Sequence, residues 1–203
     1  MELEHHQLDL RYEGLRVRRP DKERRLVASL SAEGQQIPIV VVAGEQEGRY
    51  VVVDGYKRVR ALKRLGQDTV VATQWQMGEP EALLLSRAMR SSEAESALEQ
   101  GWLLKELHSS FAISQEELAR RFDRSPSWVS RRLALATELP GSVQELVRRG
   151  RIGAHAAAKH LVPMARAKPR DCETLAGAIA PLGLSTREVG EVYRVWREGE
   201  PKL

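Results

Sequence analysis

The sequence of 203 residues has one cysteine, Cys172, and therefore cannot form an internal disulfide. No stretch approaches the roughly 18 consecutive apolar residues that a membrane-spanning helix requires. The first ten residues, MELEHHQLDL, have neither the basic start nor the apolar core of a secretory signal. These absences exclude a disulfide-stabilised secreted fold and a transmembrane protein, and we expect a soluble protein of the reducing cytoplasm.

Positive charge is concentrated in two parts of the chain. Residues 1–66 contain 13 Lys and Arg against 10 Asp and Glu, and residues 114–159 contain 9 against 5. Residues 67–113, which separate these two parts, contain 3 against 7. Because clustered cations attract anions such as nucleic-acid phosphates, two basic regions that flank an acidic connector predict two separate anionic partners.

The first part of the chain has the pattern of a small α+β domain. One helix begins at Pro20 and ends near Gly34, since proline suits the first turn of a helix and glycine its C-terminal end. A second helix follows Gly55 and ends at Gly66. The order helix, strand, strand, helix, strand places an α+β domain in residues 1–78. The predicted strands are the β-branched runs at residues 39–42, 50–53 and 69–75.

From Glu79 onwards the apolar residues recur at helical spacing, and no strand signal of comparable strength returns. We expect residues 79–165 to form a helical connector followed by two closely spaced helices, and residues 166–203 to form a C-terminal helical segment. Ser185 and Glu188 have the spacing of a capping box that opens the last helix. The apolar side of that helix is expected either to close the domain or to form a small dimer contact.

Residues 49–66, RYVVVDGYKRVRALKRLG, join a buried strand to a basic helix through Asp54 and Gly55. Cations in the first turn of that helix lie where the helix dipole is already positive, so a negative group should compensate them. A phosphate bound by backbone N–H groups and by flanking Lys and Arg would do so. The alternative is a solvated basic face that is neutralised by Asp54, Glu45 and Glu47.

Residues 113–140 have the pattern of two short helices separated by a tight turn. Ser114 caps the first helix, and Ser125 followed by Pro126 opens the second. Ala119 is small at the position where the two helices approach closely. The arrangement predicts a DNA-binding helix-turn-helix, although its turn has no glycine, which such turns often contain. An ordinary αα-hairpin with a basic solvent face is the alternative.

In the helix-turn-helix interpretation, the first turns of the second helix face the major groove. Serine and arginine side chains there would contact base edges and phosphates, and the start of the preceding helix would hold a phosphate. Trp128 is predicted to pack at the entry of the second helix rather than to stack on a base. The predicted DNA-binding residues are Ser114, Gln115, Arg124, Ser125, Ser127, Ser130, Arg131 and Arg132.

From about residue 16 to residue 161 the chain resembles the ParB family of chromosome and plasmid partition proteins. LVASLSAEGQQIPIVVV is similar to the family's first box, DGYKRVRALKRLG is similar to its GERRxRA box, and the helix-turn-helix follows after a helical connector. The three parts occur in the order that the family has. The resemblance implies a ParB/sulfiredoxin-like α+β N-terminal domain followed by an all-α helix-turn-helix domain.

In the ParB family the GERRxRA box binds CTP, and nucleotide turnover regulates a DNA clamp. In the family's following box, Ser86 and Arg87 stand where the family has the Glu and Asn that are associated with magnesium. Because serine and arginine do not suit a hard cation, we assign neither a magnesium site nor a catalytic residue. The CTP site that the resemblance implies is formed by Gly55, Lys57, Arg58, Arg60 and Arg90.

The main functional hypothesis is a sequence-specific, CTP-responsive DNA-binding protein that acts in plasmid or chromosome partition, mobile-element maintenance or transcriptional regulation. The expected partners are double-stranded DNA, a second copy of the chain, and a partition ATPase or another protein. The expected location is the cytoplasm, in association with the nucleoid or a plasmid. One alternative is an enzyme, either a CTPase or a ParB-fold kinase or nuclease-like protein, but the sequence favours a protein without enzymatic activity. Another is an adaptor that docks a protein partner through the basic face of the N-terminal domain.

Overall fold

The computed structural model describes residues 1–90 and 95–199. The chain divides into two compact units, Met1–Ala94 and Glu95–Leu203. None of the helices in the described part of the chain is long and apolar enough to cross a membrane. The first unit extends beyond the domain boundary expected at residue 78, because the helix Glu79–Met89 packs on a strand of the sheet. The second unit includes the C-terminal segment that was expected from residue 166 onwards.

The first unit contains a mixed sheet of five strands. They are β1 (Glu2–Glu4), β2 (Leu8–Asp9), β3 (Ile39–Ala43), β4 (Tyr50–Asp54) and β5 (Thr69–Gln74). The order across the sheet is β1-β5-β3-β4-β2. The pairs β1/β5 and β3/β4 are antiparallel, and the pairs β3/β5 and β2/β4 are parallel. The three longer strands are the ones that the sequence predicts, whereas β1 and β2 were not predicted.

The described residues of the first unit also form helices α1 (Pro20–Glu33), α2 (Tyr56–Arg64) and α3 (Glu79–Met89) and a 3-10 turn at Glu13–Leu15. Helix α1 begins at its proline and ends before Gly34, whose φ is +71°. The valine-rich strands β3 and β4 are buried because helices cover them. The predicted α+β class of the first domain is therefore confirmed.

Gly55 turns the chain from β4 into α2. Its φ of +102° lies in a region that L-amino acids with side chains rarely adopt. A Cβ atom at this position would lie 2.6 Å from Cγ2 of Ile39, which is fully buried. Glycine is therefore required twice here, by the backbone conformation and by the close packing, and it fixes where the basic helix begins.

The described part of the second unit is helical. Its helices are α4 (Ala97–Ser109), α5 (Gln115–Arg121), α6 (Pro126–Thr137), α7 (Gly141–Arg148), α8 (Ala154–Ala156), α9 (Val162–Ala167), α10 (Pro169–Ile179) and α11 (Thr186–Glu198). A π-helical segment, Ala157–Leu161, joins α8 to α9. Pro163, the second residue of α9, has no backbone N–H, and its ring disfavours a regular α-helical turn before it.

The C-terminal helices complete the apolar core of the second unit. Ser185 and Glu188 form the predicted capping box at the start of α11. Val189 is buried in the core, and the indole N–H of Trp196 donates to Oδ2 of Asp171 at 3.3 Å. The apolar side of α11 thus closes this unit, which is the first of its two expected roles. The core also buries the single cysteine, and burial raises the pKa of its thiol to about 11.

Helices α4 and α6 approach closely at Gly101. A Cβ atom on Gly101 would lie 2.5 Å from the backbone oxygen of Arg132 and 3.3 Å from Cβ of Ala136. The first of these neighbours is a backbone atom in the middle of α6, so it cannot move aside without moving the helix. The approach of the two helices therefore depends on the absence of a side chain at this position.

We predict that Gly101→Ala destabilises the protein, whereas Gly177→Ala does not. Both glycines lie inside helices of the second unit, but a Cβ at Gly177 would meet no atom within 4 Å. Alanine should therefore stabilise α10 by up to about 1 kcal/mol through helix propensity. In α4 the clash should outweigh that gain and cost about 1–3 kcal/mol. Urea denaturation midpoints measure both changes, and equal midpoints for the two variants would contradict the close packing.

Candidate nucleic-acid interface and phosphate site

Serine side chains cap both helices of the predicted helix-turn-helix. The Oγ of Ser114 accepts a hydrogen bond from the backbone N–H of Glu117 at 3.2 Å. The Oγ of Ser125 accepts one from the backbone N–H of Trp128, also at 3.2 Å. Both predicted caps are confirmed, and they determine where α5 and α6 begin.

Asp123 provides the turn conformation for which many helix-turn-helix proteins use glycine. Its φ is +50°, in the left-handed region that aspartate and asparagine adopt more readily than other non-glycine residues. The backbone N–H of Arg124 then donates to the oxygen of Ala119 at 2.9 Å, and Phe122 turns its ring into the core. The absence of glycine from the sequence therefore does not prevent a tight turn.

The predicted DNA-binding residues form a polar and cationic surface on α6 and its flanks. Ser127, Ser130 and Arg131 are at the spacing i, i+3 and i+4, which places them on one outward face of α6. Val129 and Leu133 of the same helix are buried on the other side. Six of the eight predicted residues are exposed, namely Ser114, Arg124, Ser125, Ser127, Ser130 and Arg131, and Gln115 and Arg132 are half-buried.

Arg132 lies at the edge of this surface, and its side chain is hydrogen-bonded to helix α4. Its Nε donates to Oε1 of Gln100 on α4 at 2.9 Å. Burial lowers the pKa of its guanidinium, and the neighbouring charge of Arg131 adds to that effect. The acceptor is a neutral amide, so the positive charge of Arg132 is oriented without being neutralised by this contact.

Three of the five predicted phosphate-binding residues surround the end of β4 in the first unit. Gly55 begins α2 there, and Nη2 of Arg58 donates to Oδ2 of Asp54 at 3.1 Å. The Oγ of Ser86 donates to the oxygen of Val53 at 3.3 Å. The third of these predicted residues is Arg90, whose Nε donates to the backbone oxygen of Ser86 at 3.0 Å. Helix α3 therefore brings this cation to the same end of the strand.

The other two predicted residues, Lys57 and Arg60, lie on the side of α2 that faces α1. Arg58 and Arg60 are separated by about 200° around the helix axis, so they cannot share a face. The guanidinium of Arg60 donates to Glu13 and Glu23. Lys57 and Arg60 line a cavity of about 280 Å³. The remaining lining residues are Arg18, Glu23, Val27, Ala61, Lys63 and Arg64.

Several buried guanidinium nitrogens in this region have no hydrogen-bond acceptor among the described residues. They are Nε of Arg58, Nε of Arg60 and Nη2 of Arg90. Buried donors in proteins are nearly always paired, and an unpaired one costs about 1–3 kcal/mol or more when it is charged. Phosphate oxygens are acceptors of the right charge for such donors.

The acidic residues that bind Arg60 are distant from it in the sequence and were not predicted. Glu13 and Glu23 precede it by 47 and 37 residues, so no local spacing connects them. Burial raises the pKa of the Glu23 carboxyl, but hydrogen bonds from Arg18 and Arg60 outweigh it and hold that pKa below its usual value. Arg64 lines the same cavity as Lys57. Its place there could have been predicted from the sequence, because it follows Lys57 by seven residues and therefore lies on the same helix face.

The positions associated with magnesium in the family do not supply a ligand set here. Ser86 is buried and its hydroxyl is used by Val53. Asp54, the carboxylate beside the glycine turn, is paired with Arg58. Within residues 1–90 and 95–199, no group of three or more His, Cys, Asp or Glu side chains is arranged to hold a metal ion. The residues present therefore do not fit magnesium, which prefers several oxygen ligands.

Comparison with known proteins covers both units. The model of the ParB N-terminal domain matches residues 2–88, and the model of the ParB HTH domain matches residues 93–198. The chain is 28% identical to the nucleoid occlusion protein of Bacillus licheniformis over 145 residues, which are 71% of this chain and 50% of that protein. It thus spans about half the length of this relative.

Two solved structures of the C-terminally truncated chromosome-partitioning protein ParB from Caulobacter crescentus are also similar. The one complexed to the centromeric parS site is 27% identical and covers 96% of this chain and 98% of that chain, with a TM-score of 0.48. The one complexed with CTP-gamma-S is 26% identical and covers 88% of this chain and 97% of that chain, with a TM-score of 0.41. The two domain models match in tandem, and the second of them accounts for more than half of the chain. The chain belongs to the ParB family.

Proposed function

We propose that the chain binds specific double-stranded DNA through its second unit, with α6 as the recognition helix. The observation that carries the proposal is the outward face of α6, where Ser127, Ser130 and Arg131 are exposed in the turns that follow the Ser125 cap. The N-terminal turns of a recognition helix are the ones that reach base edges in the major groove.

Each group on this surface has a definite chemical role in the proposal. Arg131 can donate two hydrogen bonds to a guanine edge, which is the commonest specific contact of this kind. Ser130 can donate to a base edge next to it. The hydroxyls of Ser114 and Ser125 already accept from the backbone, and each keeps an O–H group that can donate to a phosphate. Arg124 lies in the turn before the helix and Arg132 lies within it, and both suit backbone phosphates.

We place this DNA binding in the biology that the names of the relatives suggest. The Bacillus licheniformis relative is a nucleoid occlusion protein, and the Caulobacter crescentus relative is a chromosome-partitioning protein. For this chain we propose a role in chromosome or plasmid partition, mobile-element maintenance or transcriptional control, at the nucleoid or on a plasmid. A second copy of the chain and a partition ATPase or another protein are the proposed protein partners.

We further propose that the first unit binds the phosphates of a nucleotide, CTP being the one that family membership suggests. The site is the end of β4. Gly55 has no side chain that would keep a phosphate away from the backbone, and among the described residues Nε of Arg58 and Nη2 of Arg90 are buried without an acceptor. Asp54 is held by Arg58 and is poorly placed to act as a general base. We therefore propose binding of the nucleotide rather than its hydrolysis.

Selection from random duplex fragments, followed by sequencing of the retained DNA, should enrich a defined motif. Arg131→Ala should weaken binding to that motif about tenfold or more, because a bidentate contact to a base is worth about 1–3 kcal/mol. Ser130→Ala should have a smaller effect at the same part of the motif. Arg170→Ala removes an exposed arginine from α10, outside the proposed surface, and serves as the matched control. Binding that is salt-sensitive but enriches no motif would show that the recognition is not specific.

Titration calorimetry with CTP and with ATP, with and without magnesium, tests the nucleotide proposal. Arg90→Gln should weaken nucleotide binding about tenfold or more, since it removes a charged donor at the end of β4. Arg64→Gln makes the same change on the cavity side of α2 and should alter the affinity less than about twofold. The reverse order would move the site into the cavity, and phosphate release by the wild-type protein would contradict binding without hydrolysis.

A further inference from the structure

Trp128 lies between two of the arginines on the proposed DNA surface. The Cζ atom of Arg132 is 5.2 Å from the centroid of the indole ring, and the Cζ atom of Arg124 is 5.8 Å from it. The ring of Phe122 lies 6.0 Å away, tilted by 41°. The indole is half-buried, and the Phe122 ring beside it is buried.

The two arginines reach the indole from opposite directions along the chain. Arg124 precedes Trp128 by four residues and lies in the turn, and Arg132 follows it by four residues, one turn further along α6. Each guanidinium has a second contact. Nη1 of Arg124 donates to the oxygen of Asp123 at 3.2 Å, and Nε of Arg132 donates to Gln100 at 2.9 Å.

These contacts restrict side chains that would otherwise be among the most flexible in the protein. An arginine that is free in solution must give up much of its rotamer freedom when it binds a phosphate. An aromatic face attracts a guanidinium but does not cancel its charge, so an arginine held in this way keeps its attraction for an anion. The remaining N–H groups of each fork are available to phosphate oxygens.

We propose that Trp128 is a positioning residue for DNA binding, which holds Arg124 and Arg132 in place for backbone phosphates beside the recognition helix. The inference rests on the proposed DNA-binding function and adds a residue to it. The two arginines would contact the phosphate backbone of duplex DNA. Loss of Trp128 should therefore change the affinity and its salt dependence but not the base preference.

The test measures the DNA affinity of the full chain at several salt concentrations. Trp128→Met should lower the affinity about tenfold at low salt and reduce the slope of log affinity against log salt by about one to two, since each lost phosphate contact contributes about 0.9 to that slope. Trp128→Phe keeps an aromatic ring and should retain most of the slope. The sequence motif that is enriched should be the same for both variants.

A merely structural role for Trp128 makes different predictions. Trp196→Met serves as the control, because it also removes an indole from the packing of the second unit but lies on α11. It should lower the unfolding midpoint without changing the salt slope. If Trp128→Met leaves the slope unchanged, or if Trp196→Met reduces it equally, the positioning role is wrong.

A double-mutant cycle keeps the test decisive if Trp128→Met folds poorly. Arg124→Gln should reduce the slope in the wild-type and Trp128→Phe backgrounds, where an aromatic ring holds the guanidinium, and it should reduce it much less when Trp128 is Leu or Met. Equal effects of Arg124→Gln in all backgrounds would refute coupling through the indole. A wild-type protein that binds no duplex DNA at all would instead refute the proposed function, and the two failures are thus distinguishable.

Discussion

The position of α6 depends on the close contact between the backbones of α4 and α6. Because Gly101 has no side chain, α4 can approach the backbone oxygen of Arg132. The same approach brings the neighbouring Gln100 within hydrogen-bonding distance of the Arg132 side chain. That hydrogen bond in turn holds the guanidinium beside the indole of Trp128. One small residue in the supporting helix therefore sets the position of a cation on the outer surface, through both the backbone and the side chain of Arg132.

Charge compensation around α2 follows a different arrangement. The helix begins with cations, where the helix dipole favours anions, and the chain supplies carboxylates from three separate segments to offset them. Asp54 comes from the end of β4, Glu13 from a 3-10 turn and Glu23 from α1. The pairing leaves some buried N–H groups without acceptors, so it neutralises charge more completely than it satisfies hydrogen bonds. A phosphate at this site would supply the missing hydrogen-bond acceptors.

The sequence was sufficient to predict features that depend on neighbouring residues. The caps at Ser114 and Ser125, the glycine turn into α2 and the three longer strands all rest on local patterns, and the structure contains them. It was not sufficient for features that depend on distant contacts. The two- and three-residue strands exist because of their partners in the sheet. In the same way, the division of the predicted phosphate residues between two sides of α2 depends on α1 and α3, and Gly101 acquires its role only when α6 packs against it.

The two sites hold their arginines by different chemistry, and this difference has a consequence for binding. Arg58 is paired with the carboxylate of Asp54, so an incoming phosphate must compete with an internal anion for part of its charge. Arg124 and Arg132 are held by an aromatic ring, a backbone carbonyl and a neutral amide, none of which carries a negative charge. The proposed DNA surface therefore keeps its long-range attraction for a polyanion, which is what association with duplex DNA requires. The first site gives up part of that attraction, and its affinity must come from the geometry of its hydrogen bonds.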